Sequence, residues 1–384
     1  MLIPPPLSLY VHLPWCVRKC PYCDFNSHEG KGVLPFAEYV DALIRDLEFD
    51  LPLVWGRTVH SVFFGGGTPS LFPPAQIDRF LQEASSRLRF APGLEITLET
   101  NPGTAEHGRF EDYRRAGVNR ISFGIQSFDD GCLQRLGRIH DSAQAERAVR
   151  LAQDAAFDNF NLDLMYALPG QTLAMAELDL QRAFALQPAH ISHYQLTLEP
   201  NTVFFARPPG GIPDEDGAWD IQEHCQGLLA GAGYAQYEVS AYAQPGRECH
   251  HNLNYWRYGD YLGIGAGAHG KLTLGAEQDI LRRWKTRHPA AYLAGAGTAA
   301  AIGGDERIAA ARRPLEFMLN ALRLNQGFSL AGYHATTGLA PQTIAAPLAE
   351  AGRRGWLVQH DGQVVPTELG RRFTNDVTAL FLTA

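Results

Sequence analysis

Three cysteines on one short stretch, Cys16, Cys20 and Cys23, are the residues of this 384-residue sequence best suited to hold a metal. Their CxxxCxxC spacing gathers three soft thiolates on one turn, and thiolates normally ligate iron–sulfur clusters, four to a [4Fe–4S] cluster. Three ligands leave one iron with an open position for a substrate. A Cys3His zinc site, completed by His12 or His28, is the competing reading, although structural zinc sites usually draw on two separated pairs. The remaining cysteines, Cys132, Cys225 and Cys249, are scattered and read as buried, inert thiols.

Other polar residues recur near the ends of apolar runs. Gly65-Gly66-Gly67-Thr68-Pro69 brings backbone N–H and C=O groups close to a ligand's charged end, or makes only a tight turn. Glu99 in LETNP offers a carboxylate to sugar hydroxyls, or to solvent. Gln126 in GIQSF, Arg138 in LGRIH and Asp163 in NLDLMYALPG are ambiguous one by one. His251 in HNLNYW stands among aromatics, as a heme-iron ligand or as a hydrogen-bonded core histidine. Gly263-x-Gly265-x-Gly267 lacks the βαβ setting of a nucleotide fingerprint and reads as a turn beside the pocket.

The elements that must position these residues alternate along the first half of the chain. Strands are expected at Leu7–Leu13, Val59–Phe64, Leu94–Leu98, Arg120–Ile125, Asn159–Met165 and His190–Leu196. Helical periodicity falls between them, at Phe36–Phe49, Gln76–Arg89, Glu106–Ala116, Ser142–Ala155 and Leu173–Leu186. Such βα units build a parallel sheet, part of a barrel or open, with ligands at the C-terminal strand ends. The cysteine loop, GGGTP, Glu99, Gln126 and Asp163 all fall there. Beyond about Asn201 the repeat stops: a loop over Arg207–Gly217, a helix over Ala218–Ala230 and an aromatic, polar region follow. From about Arg312, helices at Pro314–Leu322 and Pro341–Ala351 precede a hairpin around His360-Asp361-Gly362, then a last helix. That order reads as a small winged-helix-like domain.

Composition excludes several classes. The net charge is −8 with no basic run, so no nucleic-acid partner is expected. The opening MLIPPPLSLYVHLPWC lacks a basic start and is broken by prolines, unlike a signal peptide, and no apolar run is long enough to span a bilayer. A cytoplasmic protein is expected.

CxxxCxxC after the first strand of a βα repeat resembles the radical-SAM superfamily, which binds S-adenosylmethionine (SAM) at the open iron of its cluster. The family's chemistry runs through reductive cleavage of the sulfonium. From Tyr10 to roughly Gly270 the order and spacing resemble the oxygen-independent coproporphyrinogen III oxidase family and its relatives. The resemblance implies a partial (β/α)6 barrel, and SAM contacts at Tyr10, Tyr22, Gly66, Gly67, Thr68, Glu99, Gln126, Arg138 and Asp163.

Three features separate the members of that family. The oxidases carry a fourth cysteine in CxxxCxxCxC, where this chain has Phe25. They also have a longer segment ahead of the cluster, whereas 15 residues precede Cys16 here. PWCVRKCPYCDFNSH and the HNxxYW motif at His251–Trp256 are similar to the HemW-type heme chaperones. That likeness implies heme ligation by His251, delivery of heme to acceptor hemoproteins, respiratory enzymes at the membrane among them, and a homodimer. It assigns no catalytic residue and no coproporphyrinogen oxidase activity. The expected division is 1–205 for the barrel, 206–310 for an extension with the HNxxYW motif, and 311–384 for the winged-helix-like domain. Coproporphyrinogen III oxidation and a zinc-stabilised interaction protein are the rival functions.

Overall fold

The computed structural model describes residues 1–104 and 109–382. Strands β1 (Leu7–Leu13), β2 (Thr58–Gly66), β3 (Arg89–Thr100), β4 (Arg120–Gln126), β5 (Phe160–Tyr166) and β6 (His190–Gln195) lie side by side in parallel. Helices α1 (Phe36–Asp50), α2 (Pro74–Arg87), α3 (Arg109–Arg115), α4 (Ser142–Asp154) and α5 (Leu173–Ala185) occupy the gaps. The six strands and five helices foreseen are thus present. The first residues of the helix expected over Glu106–Ala116 lie outside the described ones.

Each strand has two unlike faces, because successive side chains point in opposite directions. On β4, Ile121, Phe123 and Ile125 are buried in the core, with Phe123 packed on Phe110 of α3. Ser122, Gly124 and Gln126 alternate with them and line a cavity. On β5, Leu162 and Leu164 join the core, while Asn161 donates to Ser122 Oγ (2.8 Å) and to Asp163 Oδ1 (2.7 Å). An apolar face under the helices and a polar face toward the lumen is what a ligand-binding barrel requires. Local signals set the helix starts: Asp141 accepts from Gln144 N (2.7 Å), and the Gln144 side chain accepts from Asp141 N (3.0 Å).

The sheet extends beyond this repeat. After α6 (Glu215–Gly231) come β7 (Ala235–Glu238) and β8 (Ala241–Ala243). Helix α7 (His250–Trp256) leads into β9 (Asp260–Ile264), β10 (His269–Leu274), β11 (Asp279–Lys285) and β12 (Ile302–Arg307). The order is β12-β11-β10-β9-β1-β2-β3-β4-β5-β6-β8-β7, so the strands beyond Asn201 add to both edges. β9 runs parallel to β1, which places α7 against β2 and β1. Buried lysines hide these strands in the sequence: Lys271 donates to Asp260 (3.0 Å), and Lys285 to Asp46 and Asp50 of α1. Pairing is what makes such burial tolerable.

Helices Arg313–Ala321, Leu330–Thr337 and Ala345–Arg353 form the C-terminal part with a three-stranded sheet of Phe328–Ser329, Gln363–Pro366 and Leu357–His360. Asp361 and Gly362 have φ of 49° and 76°, the two-residue hairpin turn that an Asp-Gly pair favours. This is the expected winged-helix-like α+β domain, with the additional helix Leu330–Thr337 and with the expected last helix divided into Glu368–Arg372 and Thr374–Ala379. Among the described residues, no helix is long and apolar enough to cross a membrane.

Candidate functional site

Trp15–Cys16 pairs in parallel with His28–Glu29 and closes the loop that carries the three cysteines. Trp15 anchors this loop, packing edge-on to Tyr39 (4.9 Å) and stacking on Phe72 (5.7 Å). The glycine turn is fastened to the same segment: Gly67 N donates to Leu13 O and Thr68 N to Trp15 O, both at 2.8 Å. A Cβ on Gly67 would stand 2.6 Å from the Trp15 carbonyl oxygen, so the approach of two backbones requires glycine there. Gly66, at φ 119°, donates its N–H to Glu99 Oε2 (3.2 Å). The N–H groups expected to meet a ligand are therefore committed. The turn's remaining offer is carbonyl oxygens, acceptors suited to an ammonium group.

A cavity of about 330 Å³ opens at the C-terminal ends of β1 to β6. Cys16, Cys20, Cys23, Tyr22, Gly66, Gly67, Thr68, Glu99, Gln126, Arg138 and Asp163 all line it. Five strand ends do converge on one mouth. Each sulfur has its own polar partner: Thr68 Oγ1 donates to Cys16 Sγ (3.5 Å), Arg138 Nη1 to Cys20 Sγ (3.6 Å), and Ser27 Oγ pairs with Cys23 Sγ (3.7 Å). Donors aimed at sulfur suit thiolates held by a cluster. Burial pushes the Cys16 and Cys23 thiols up, so a cluster held there must displace their protons. Among the described residues no three His, Cys, Asp or Glu side chains are drawn together as for one metal ion. His12 has both ring nitrogens engaged, by Tyr10 and by Asn26 O.

Charge in this cavity is poised. Burial and the neighbouring Asp163 push the Glu99 carboxyl up to about 8, against the Gly66 N–H that opposes the rise. Asp163 is likewise raised by burial and steadied by Asn161, Ser192 and Ser122. Gln126 holds a left-handed backbone (φ 73°) at the end of β4, with Tyr194 donating to its Oε1 at 2.8 Å. A non-glycine residue in that region stores strain, which clusters at functional sites.

Tyr10 and His251 stand elsewhere. They line a second cavity, of about 710 Å³, that shares Phe25, Gly66 and Glu99 with the first. His251 sits on α7, buried, its ring stacked on Phe63 (4.9 Å) and edge-on to Tyr255 (5.0 Å). Glu95 fixes the start of α7 by accepting from His250 N and His251 N, both at 3.2 Å. His251 Nδ1 is 3.0 Å from Ser61 Oγ, and Nε2 is buried without a partner. Ser61 donates its hydroxyl hydrogen to Ser8 Oγ (2.7 Å), and Asn254 of the same helix also donates to Ser8 (2.9 Å). With that hydrogen spent, Nδ1–H is the donor to Ser61, and Nε2 carries the free lone pair. Burial, with Arg120 adding to it, lowers the imidazole pKa to about 3, so the ring is neutral. A neutral imidazole with a free nitrogen fits an iron ligand. His250 is exposed.

Sequence reasoning missed Tyr194, Ser192 and Ser122 in the first cavity, and Phe63, Tyr261, His269 and Arg287 in the second. Period-two polar residues on the apolar strands were the available signal for the serines. Phe25, at the position of the oxidases' fourth cysteine, is 63 % exposed and borders both cavities. Gly267 lines the second cavity and lies against Asn26 of the cysteine loop, in keeping with a turn beside the pocket. Cys132, Cys225 and Cys249 are buried free thiols, pushed up to about 11, 12 and 12 by burial.

Comparison with known proteins shows the family. Residues 10–183 match the Radical SAM superfamily, and residues 308–373 match the HemN C-terminal domain. The heme chaperone HemW of Escherichia coli is 50 % identical over 98 % of both chains. The heme chaperone HemW of Haemophilus influenzae is 49 % identical over 99 % of this chain and 98 % of its own. In fold, the chain resembles the coproporphyrinogen III oxidase HemN of Escherichia coli, described as a radical SAM enzyme (TM-score 0.83, 23 % identity, 99 % of this chain and 91 % of that one). The superfamily implies SAM and a [4Fe–4S] cluster. The chain belongs to the HemW family, within the radical SAM superfamily.

Proposed function

We propose that the chain is a heme chaperone: it binds heme through His251 and delivers it to acceptor hemoproteins. The observation that carries this reading is the buried, neutral His251, whose Nε2 has no partner, in the wall of an aromatic cavity. The 710 Å³ cavity is of cofactor size. Identity with proteins named as heme chaperones over nearly the whole chain supports the same reading.

In this reading Cys16, Cys20 and Cys23 hold the [4Fe–4S] cluster, which would supply an electron and an open iron for the amino and carboxylate groups of SAM. The carbonyls of the glycine turn accept from the ammonium, and Glu99 accepts from ribose hydroxyls. Gln126, Arg138 and Asp163 complete that pocket, with Tyr22 of the cysteine loop in its wall. Tyr10 braces His12, whose ring backs Gly66 between the two cavities. Residues 1–205 carry the cluster and SAM, 206–310 the heme histidine, and 311–384 an interaction module. The protein acts in the cytoplasm, as a homodimer, with respiratory hemoproteins at the membrane among its acceptors.

Phe25 in place of a fourth cysteine, open to solvent, weighs against coproporphyrinogen III oxidation. The test is to mix the anaerobically reconstituted, heme-loaded chain with a heme-free respiratory cytochrome. Growth of the cytochrome's Soret spectrum at the chain's expense, and no decarboxylation of coproporphyrinogen III, is expected. Decarboxylation without heme transfer would favour the oxidase instead.

A further inference from the structure

We propose that Arg287, with His269 beside it, receives the propionate carboxylates of the porphyrin at the mouth of the aromatic cavity. This rests on the heme reading and names how the acidic edge of that ligand is recognised. The cavity has a buried wall, where His251 meets Phe63 and Tyr255, and an exposed side, where His269 and Arg287 line it.

Several polar groups around this cavity are already engaged. His12 uses both ring nitrogens, and Glu99 accepts from Gly66. Asn26 donates its amide to the carbonyls of Ala266 and Arg287, which ties the backbone at Arg287 to the cysteine loop. Among the described residues, the Arg287 guanidinium has no carboxylate or carbonyl partner, and neither ring nitrogen of His269 has one. The His269 ring stacks on Trp284 at 6.2 Å, which holds it at the mouth. Burial, then Arg282 and Arg287, lower its pKa, so it brings an N–H beside a full guanidinium charge. Asp24 is the exposed carboxylate of the same lining and disfavours an anion on its own side.

A heme is a flat apolar disc with both acids on one edge. Carboxylates are costly to bury, so a heme held at the buried wall would turn its acid edge toward the open side. A guanidinium matches a carboxylate in a two-pronged hydrogen bond, which no other free group of this cavity can do. An unpaired cation at the mouth of an aromatic cavity, in a chain of net charge −8, is the arrangement such a ligand needs.

The experiment titrates heme and heme dimethyl ester, followed by Soret absorbance, against the reconstituted full chain. Arg287→Gln and the double variant Arg287→Gln, His269→Gln are compared with it. The unsubstituted chain should prefer heme to its ester by roughly tenfold or more, the worth of one charge-assisted hydrogen bond. Arg287→Gln should reduce that preference to about twofold with ester affinity unchanged, which also shows that the variant is folded. An undiminished preference in both variants overturns the assignment to Arg287 and His269 while leaving heme binding intact. Binding of neither ligand by the unsubstituted chain overturns the heme reading and this assignment together.

Discussion

His251 Nδ1 and Ser61 Oγ are hydrogen-bonded at 3.0 Å across α7 and β2, and this one bond decides which ring nitrogen is free. Ser61 passes its own hydrogen to Ser8, so the proton lies on Nδ1 and the lone pair on Nε2. Partners of this kind orient a ligating imidazole and raise its basicity.

Removing that partner should weaken the ligand without removing it. Ser61→Ala is expected to lower heme affinity by about tenfold and to alter the Soret maximum, while His251 stays in place. A titration followed by Soret absorbance, with thermal unfolding as the fold control, checks this. An unchanged affinity and spectrum would show that Ser61 only packs.

The first cavity has its own pH signature. Glu99 has a folded pKa near 8, above its unfolded value of 4.5. Between these values the unfolded chain has lost the proton that the native chain keeps, so stability falls as pH rises from about 4.5 to about 8. Below that window the contribution is fully present. Glu99→Gln should therefore gain on the unsubstituted chain by up to a few kcal/mol as pH rises through the window, then hold level. The same variant should bind SAM less tightly. Unfolding midpoints from pH 5 to 9 report the first effect and calorimetric titration of SAM the second.

Each sulfur's donor should tune the cluster. Thr68→Val removes the donor to Cys16 Sγ, and a cluster with fewer hydrogen bonds to sulfur is harder to reduce. Iron and acid-labile sulfide should remain near four each per chain, the content of one [4Fe–4S] cluster. The midpoint potential, measured by a redox titration with electron paramagnetic resonance, should become more negative. Cys16→Ala should instead lose most of the iron and sulfide.

Backbone proximity is tested by Gly67→Ala. The added Cβ meets the Trp15 carbonyl oxygen at 2.6 Å and the Pro14 carbonyl carbon at 2.8 Å, and backbone cannot swing aside as a side chain can. A destabilisation of about 1–3 kcal/mol is expected, with poorer retention of iron. Denaturant unfolding and iron content after gel filtration measure both.

How far the sequence reached follows from distance along the chain. Strand ends could be read because each belongs to a local βα unit: Gly66 closes β2, Glu99 lies near the end of β3 and Gln126 ends β4, each next to its own apolar run. The second cavity could not be assembled that way. Phe63, His251, His269 and Arg287 meet only because β9 pairs with β1 and β10–β11 fold back beside it. Those strands were themselves obscured by Lys271 and Lys285, whose charges look solvent-exposed until Asp260, Asp46 and Asp50 are placed beside them. Tyr10, whose spacing resembles a SAM contact, has its ring in the cavity that holds His251, beside the Gly66 and Glu99 that the two cavities share.

The central claim is that His251 ligates heme. Its most direct test is a heme titration of the anaerobically reconstituted chain against His251→Ala, followed by Soret absorbance. The account predicts stoichiometric binding with a sharp Soret band in the unsubstituted chain, and affinity weakened by at least about tenfold with a shifted band in the variant. Equal affinity and identical spectra in the two proteins would contradict it.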